Sequence, residues 1–162
     1  MKELLQNLDM ITVDQAKGFT LIDTCAFIHV FEHHEKIKEF KDKLKKENYA
    51  ITSFNIEELI HVEHKLNKKI KEEIRKFLKQ KEDIEIVKVD VHPGDRNSEK
   101  EYVKNIDPEL IHIMHDDLSD GILFATAVKI KGNIITRDKH HLYNQIAERY
   151  ANEHNIDIRN KI

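Results

Sequence analysis

The segment His115–Leu142, HDDLSDGILFATAVKIKGNIITRDKHHL, decides the fold. Its run from Asp120 to Lys131 is apolar almost all round, the pattern of a helix covered on every side rather than of an amphipathic surface helix. Gly132 suits the position just past a helix end, where a left-handed residue is common. Asn133-Ile134-Ile135-Thr136 follows with three β-branched residues, a short buried strand, and Arg137-Asp138-Lys139 leaves it as a polar loop. A buried helix therefore feeds a buried strand. Asp120 stands at the start of that helix and Asp138 at the carboxyl end of that strand, so two carboxylates bracket the unit at its accessible ends.

Working outward, the same alternation runs through the chain. Phe19–Asp23 reads as a strand, and the residues from Thr24 to Asn48 as one helix. Tyr49–Ser53 is a second strand, with Asn55 as N-cap of the helix that follows. A Lys/Glu-laced helix spans about Asn67 to Lys81, with Ile70, Ile74, Phe77 and Leu78 on one face. Ile84–Val91 is the third strand, closed by the turn HPGDRN. Residues 98 to 115 read as two helical pieces broken at Asp107-Pro108, because proline disfavours helix at the residue before it. A helix from His141 to Asn155 and a last strand, IDIR, complete the chain. Strands separated by helices specify a doubly wound α/β fold with a parallel sheet covered on both faces, and sites in such sheets lie beyond the carboxyl ends of the strands. Residues 1–18, with Leu4, Leu8 and Ile11 at helical spacing, form an N-terminal helical arm, and 19–162 the remaining domain.

Composition narrows the function. The chain has 162 residues, enough to bury a core without staples, and a net charge of −3, which supplies no global attraction to nucleic acid or anionic membranes. Any phosphate binding is local. One cysteine, Cys25, excludes an internal disulfide and a cysteine-based zinc cluster, which fits the reducing cytoplasm. The N-terminus is too polar for a signal peptide and no run is long enough to span a membrane.

Four acids fall at element ends: Asp23, Glu58, Asp120 and Asp138. Hard oxygen ligands without cysteines or a glycine-rich phosphate loop point to Mg²⁺ or Mn²⁺, and metals so held activate water for attack at phosphorus. Each acid also has a structural reading. Asn55-x-x-Glu58 and Asp117-x-x-Asp120 resemble capping boxes, Asp23 could turn the chain, and Asp138 could cap the next helix. Four independent caps have no reason to converge on one edge of a sheet. Between neighbours, Glu58 flanks the Ile56, Leu59, Val62, Leu66 stripe while Glu57 points outward, and Asp120 is favoured over Asp117, which stays in reserve as a cap or outer ligand. Eleven histidines, several in pairs at i and i+3, raise a zinc alternative, but no spacing says which pairs meet. Arg137, Lys139 and His140 flank Asp138 as candidate phosphate contacts, although Arg137 also reads as a plain ion-pair partner.

The segments LIDTCAFI, TSFNIEELI and DGILFATAVKIKGNIITRD resemble, in order, the three acidic motifs of the PIN-domain family of metal-dependent ribonucleases, the last being the most specific. The resemblance implies a three-layer α/β/α fold with a five-stranded parallel sheet of order 3-2-1-4-5. It makes Asp23, Glu58, Asp120 and Asp138 the metal-binding catalytic quartet and Thr136 a supporting hydroxyl. Hydrolysis of RNA phosphodiesters with Mg²⁺ or Mn²⁺ follows. Many members are toxins of the VapC type, paired with an antitoxin and often homodimeric, while others process ribosomal RNA. Cys25 departs from the serine common two residues after the first acid. Two other readings stand beside it: a catalytically silent PIN-like module binding RNA or protein, and a phosphoesterase acting on DNA or small phosphate esters.

Overall fold

The structure, a computed structural model, describes residues 2–80, 83–114, 117–137 and 145–160. Five strands, β1 (Thr20–Ile22), β2 (Tyr49–Thr52), β3 (Ile84–Val87), β4 (Asn133–Ile135) and β5 (Ile158–Arg159), form one sheet in the order β3-β2-β1-β4-β5. Every pairing is parallel, as helical crossovers require. The side-chain period of two in each strand divides the core. Leu21, Ala50, Val87 and Ile134 enter one apolar cluster, and Ile22, Ile51, Ile86 and Ile135 enter the other, on the opposite face.

On the first face lie α6 (Arg96–Ile106), α7 (Glu109–Ile113), α8 (Leu118–Ile130) and α9 (Gln145–Glu153). The second face is covered by α2 (Thr24–Glu32), α3 (His34–Leu44), α4 (Ser53–Val62) and α5 (Lys68–Gln80), with α1 (Lys2–Asn7) packed on α4. α8 is wedged between α6 and strands β1 and β4, which is why residues 121–127 are all buried. Past α1 the arm runs beside the edge strand: the Ile11 N–H donates to Ile86 O at 2.8 Å and the Lys88 N–H to Ile11 O at 2.9 Å. Those bonds cover part of an otherwise open sheet edge.

Four local expectations are corrected. The Thr24–Asn48 helix is two helices, broken at His33, whose φ of −115° and ψ of 88° leave the helical region and whose Nδ1 lies 2.9 Å from His29 O. The third strand ends at Val87, although Val89 and Val91 remain buried as the chain leaves the sheet. At the end of α8, Lys131 rather than Gly132 takes the left-handed conformation (φ 53°). Gly132 answers a different constraint, since a Cβ there would lie 2.0 Å from Phe19 O. Asn55 is not the N-cap of α4; Thr52 is.

Candidate active site

Asp23 follows β1 with its backbone still extended (φ −71°, ψ 152°) and caps α2, its Oδ1 accepting the Thr24 N–H at 2.7 Å. Its other oxygen, Oδ2, accepts from the Thr136 hydroxyl at 2.7 Å and the Cys25 thiol at 3.3 Å. Thr136 follows β4, the strand paired with β1, so the parallel register sets this contact across the sheet. Asp23 is only 7% exposed, and a carboxylate so buried needs these donors.

The second acid arrives from β2. Thr52 caps α4 by accepting the Asn55 N–H at 3.0 Å while its hydroxyl donates to Asn55 Oδ1 at 2.7 Å. That reciprocal pair fixes the carboxamide with its nitrogen toward the sheet edge. Nδ2 then donates to Thr24 Oγ1 and to Glu58 Oε1, both at 3.0 Å, and lies 3.5 Å from Asp23 Oδ1. Thr24 Oγ1 stands 3.2 Å from both Glu58 Oε1 and Asn55 O, so its one proton is shared between two acceptors. Asp23 and Glu58 are thereby held on one small polar frame. Neighbouring Glu57 turns away, its carboxylate 2.7 Å from His92 Nδ1.

Burial pushes the Glu58 carboxyl up to about 7, with the charges of Asp23 and Asp117 adding to the rise and the Thr24 and Asn55 hydrogen bonds opposing it. Asp117 is the N-cap of α8, its Oδ1 accepting the N–H groups of Ser119 (3.0 Å) and Asp120 (3.3 Å). Asp120 sits in the first turn of α8, half-buried. Asp138, Lys139 and His140 lie outside the described residues. Among the described residues no three His, Cys, Asp or Glu side chains gather closely enough to hold a metal by themselves. The described acids nonetheless suit a hard divalent cation: all donors are oxygen, and burial, with the charges of Asp23 and Asp117 beside it, makes an ionised Glu58 costly without a countercharge.

Two participants escaped the sequence reading. Asn55 and Thr24 carry no charge, and the signal for Asn55, an Asn-x-x-Glu spacing, was spent on a capping box whose cap is really Thr52. Cys25 also joins the site: its sulfur accepts the Arg137 N–H at 3.4 Å, and burial followed by the Asp23 charge raises its thiol to about 11. The exposed Arg137 side chain borders a cavity with His29 and Lys36.

The PIN domain profile matches residues 20–148, from the start of β1 into α9 and across every described acid above. The chain belongs to the PIN domain family. Among solved structures, FitAcB from Neisseria gonorrhoeae resembles this PIN domain with a TM-score of 0.53 and 18% identity, over 88% of this chain and 97% of that one. At that identity the likeness speaks for the fold alone. No curated protein matches the chain in sequence. Among the described residues no helix of this PIN domain is long and apolar enough to cross a membrane. PIN domains are generally nucleases.

Proposed function

We propose that the protein is a cytoplasmic Mg²⁺- or Mn²⁺-dependent endoribonuclease, with Asp23, Glu58, Asp120 and Asp138 as the metal-binding catalytic residues and Asp117 in reserve. The observation that carries this reading is the Asp23–Glu58 pair on its Thr24–Asn55–Thr136 frame. Asp23 and Glu58 would help hold a divalent cation there, which would supply an activated water and charge neutralisation at the scissile phosphate. Thr136 and the Thr24 N–H hold Asp23 in one orientation, so its ligating oxygens are fixed before substrate arrives. Asn55 does the same for Glu58. Desolvation of Glu58 raises its affinity for positive charge, so a cation held there would favour its ionised form. Arg137, Lys139 and His140 contact substrate phosphate. Family membership extends the proposal to a toxin held by an antitoxin protein and to a homodimer.

The test is cleavage of single-stranded RNA, single-stranded DNA and a chromogenic phosphodiester by the purified protein, with Mg²⁺, with Mn²⁺ and after chelation. RNA cleavage that needs metal and disappears in Asp23→Asn supports the reading. Turnover of DNA or of the small ester alone replaces it with a phosphoesterase, and no turnover of any substrate leaves a binding module.

A further inference from the structure

The chain carries eleven histidines, and spacing alone does not say which of them meet. Among the described residues, the two histidine rings in contact are His29 and His33, at the end of α2. Their centroids lie 4.1 Å apart with the planes at 44°. Residues at i and i+4 lie on one face of a helix, the arrangement in which paired imidazoles chelate an ion. Both side chains are half-buried, so both keep access to solvent.

Hydrogen bonds fix the nitrogen that each ring presents. His33 Nδ1 lies 2.9 Å from His29 O. A carbonyl only accepts, so Nδ1 carries the proton and the lone pair of the neutral ring is on Nε2. His29 Nε2 lies 3.0 Å from Lys36 Nζ. An ammonium only donates, so this Nε2 also presents a lone pair, and it already faces a cation. Burial, followed by the charges of Arg137, Lys36 and His33, holds the His29 pKa below its ordinary value, which keeps the ring neutral and free to ligate at neutral pH. The same charges oppose a metal ion, but Lys36 is exposed and its ammonium leaves this position at small cost.

An ion held tetrahedrally at about 2.0 Å by both nitrogens needs them roughly 3.3 Å apart, a separation that rings with centroids at 4.1 Å allow. Among the described residues no third His, Cys, Asp or Glu joins the pair, so water completes the coordination. His29 lies about 9 Å along α2 from Asp23 at about 1.5 Å per residue, which sets the pair apart from that acid.

We propose that His29 and His33 form a two-imidazole site for a divalent transition-metal ion of the Zn²⁺ and Ni²⁺ class, bound through both Nε2 atoms in the place taken by the Lys36 ammonium. Imidazole nitrogen selects these ions over Mg²⁺, which prefers oxygen. The site differs in chemistry from the carboxylates and does not depend on the ribonuclease reading.

Isothermal titration calorimetry of the full chain with Zn²⁺ and with Ni²⁺, at neutral pH in excess Mg²⁺ to occupy the carboxylates, tests it. His29→Gln and His33→Gln each weaken binding by about tenfold or more, while His34→Gln, at an exposed neighbouring position, leaves it unchanged. Lys36→Gln removes the competing ammonium and tightens binding by about fivefold. Binding that is absent in wild type, or that survives either histidine substitution unchanged, overturns the site. Unchanged or weaker binding by Lys36→Gln overturns the placement of the ion. His29→Gln keeps the backbone carbonyl that His33 bonds, so this arm stands even where His33→Gln alters the break between α2 and α3. Metal binding with these effects in a protein that cleaves no RNA leaves the site in place and removes the ribonuclease reading alone.

Discussion

Asn55 and Glu58, one turn apart on α4, are joined by a 3.0 Å hydrogen bond, and the same carboxamide reaches Thr24 across to α2. One neutral, fully buried side chain thus ties together the ends of two strands. Asn55→Ala strips donors from Glu58 and Thr24 and an acceptor from Thr52. Expected is a loss of ~2–3 kcal/mol in stability by urea denaturation, because buried polar partners are left unsatisfied. Metal-dependent cleavage should fall by at least an order of magnitude, roughly what misplacing one ligand costs. Stability unchanged within ~0.5 kcal/mol would show that the carboxamide bonds are dispensable.

Glu58 supplies a pH signature. Its carboxyl rises from 4.5 to about 7 on folding, so between those values the folded chain binds more protons than the unfolded one and stability falls as pH rises. Glu58→Gln removes that slope. In chelator, the variant should match wild type near pH 4.5 and exceed it by ~1–2 kcal/mol at pH 8, the shift being discounted for partial exposure. Thermal melts across that range decide it; a constant difference at every pH would mean that Glu58 titrates normally.

Asp23 is expected to be costly as a charge and cheap as a shape. Asp23→Asn keeps an acceptor for the Thr24 N–H and removes an anion beside Glu58. The metal-free variant should melt at or above the wild-type temperature, while Mg²⁺ or Mn²⁺ stabilises wild type far more than the variant. A clear drop in metal-free melting temperature with an intact metal response removes Asp23 from the quartet.

Cys25 reports the same charge from outside. With its thiol raised to about 11 by burial and by Asp23, alkylation by iodoacetamide at pH 8 should be slow. Asp23→Asn should move the alkylation profile to lower pH and speed the reaction. Identical profiles for the two proteins contradict the electrostatic coupling.

Asp117 caps α8, and the proposed function gives the catalytic role to Asp120 instead. Asp117→Ala removes the acceptor for two N–H groups at the start of α8 and should cost ~1 kcal/mol. Asp117→Asn, which keeps an oxygen there, should cost little. Under the proposed assignment both retain most cleavage and Asp120→Ala does not; the reverse pattern transfers the ligand role to Asp117.

The sheet was legible because its signals are local and redundant: short β-branched runs, each ended by a polar residue, with a helix pattern between. The break at Asp107-Pro108 was legible for the same reason, proline acting on its immediate neighbour. Where a local rule admitted two candidates, the sequence misled. Thr52 and Asn55 are both good caps, and only the packing of α4 on the sheet selects Thr52. Lys131 takes a conformation that glycine would adopt more cheaply, because the glycine is needed one residue later against Phe19. Asp23 and Glu58 stood out as charges at element ends. The Thr24–Asn55 link did not, since it joins neutral residues 31 positions apart and exists only once β1 and β2 are paired.

β1 is made before its partner β4, and the Thr136 hydroxyl that seats Asp23 comes 113 residues after that acid. At translation rates of roughly 5 to 20 residues per second, that gap lasts on the order of ten seconds. Throughout it, the nascent chain holds its first acid without the partner strand that positions it. Under the proposed function, the Asp23 site stays unfinished until β4 has been made and paired with β1.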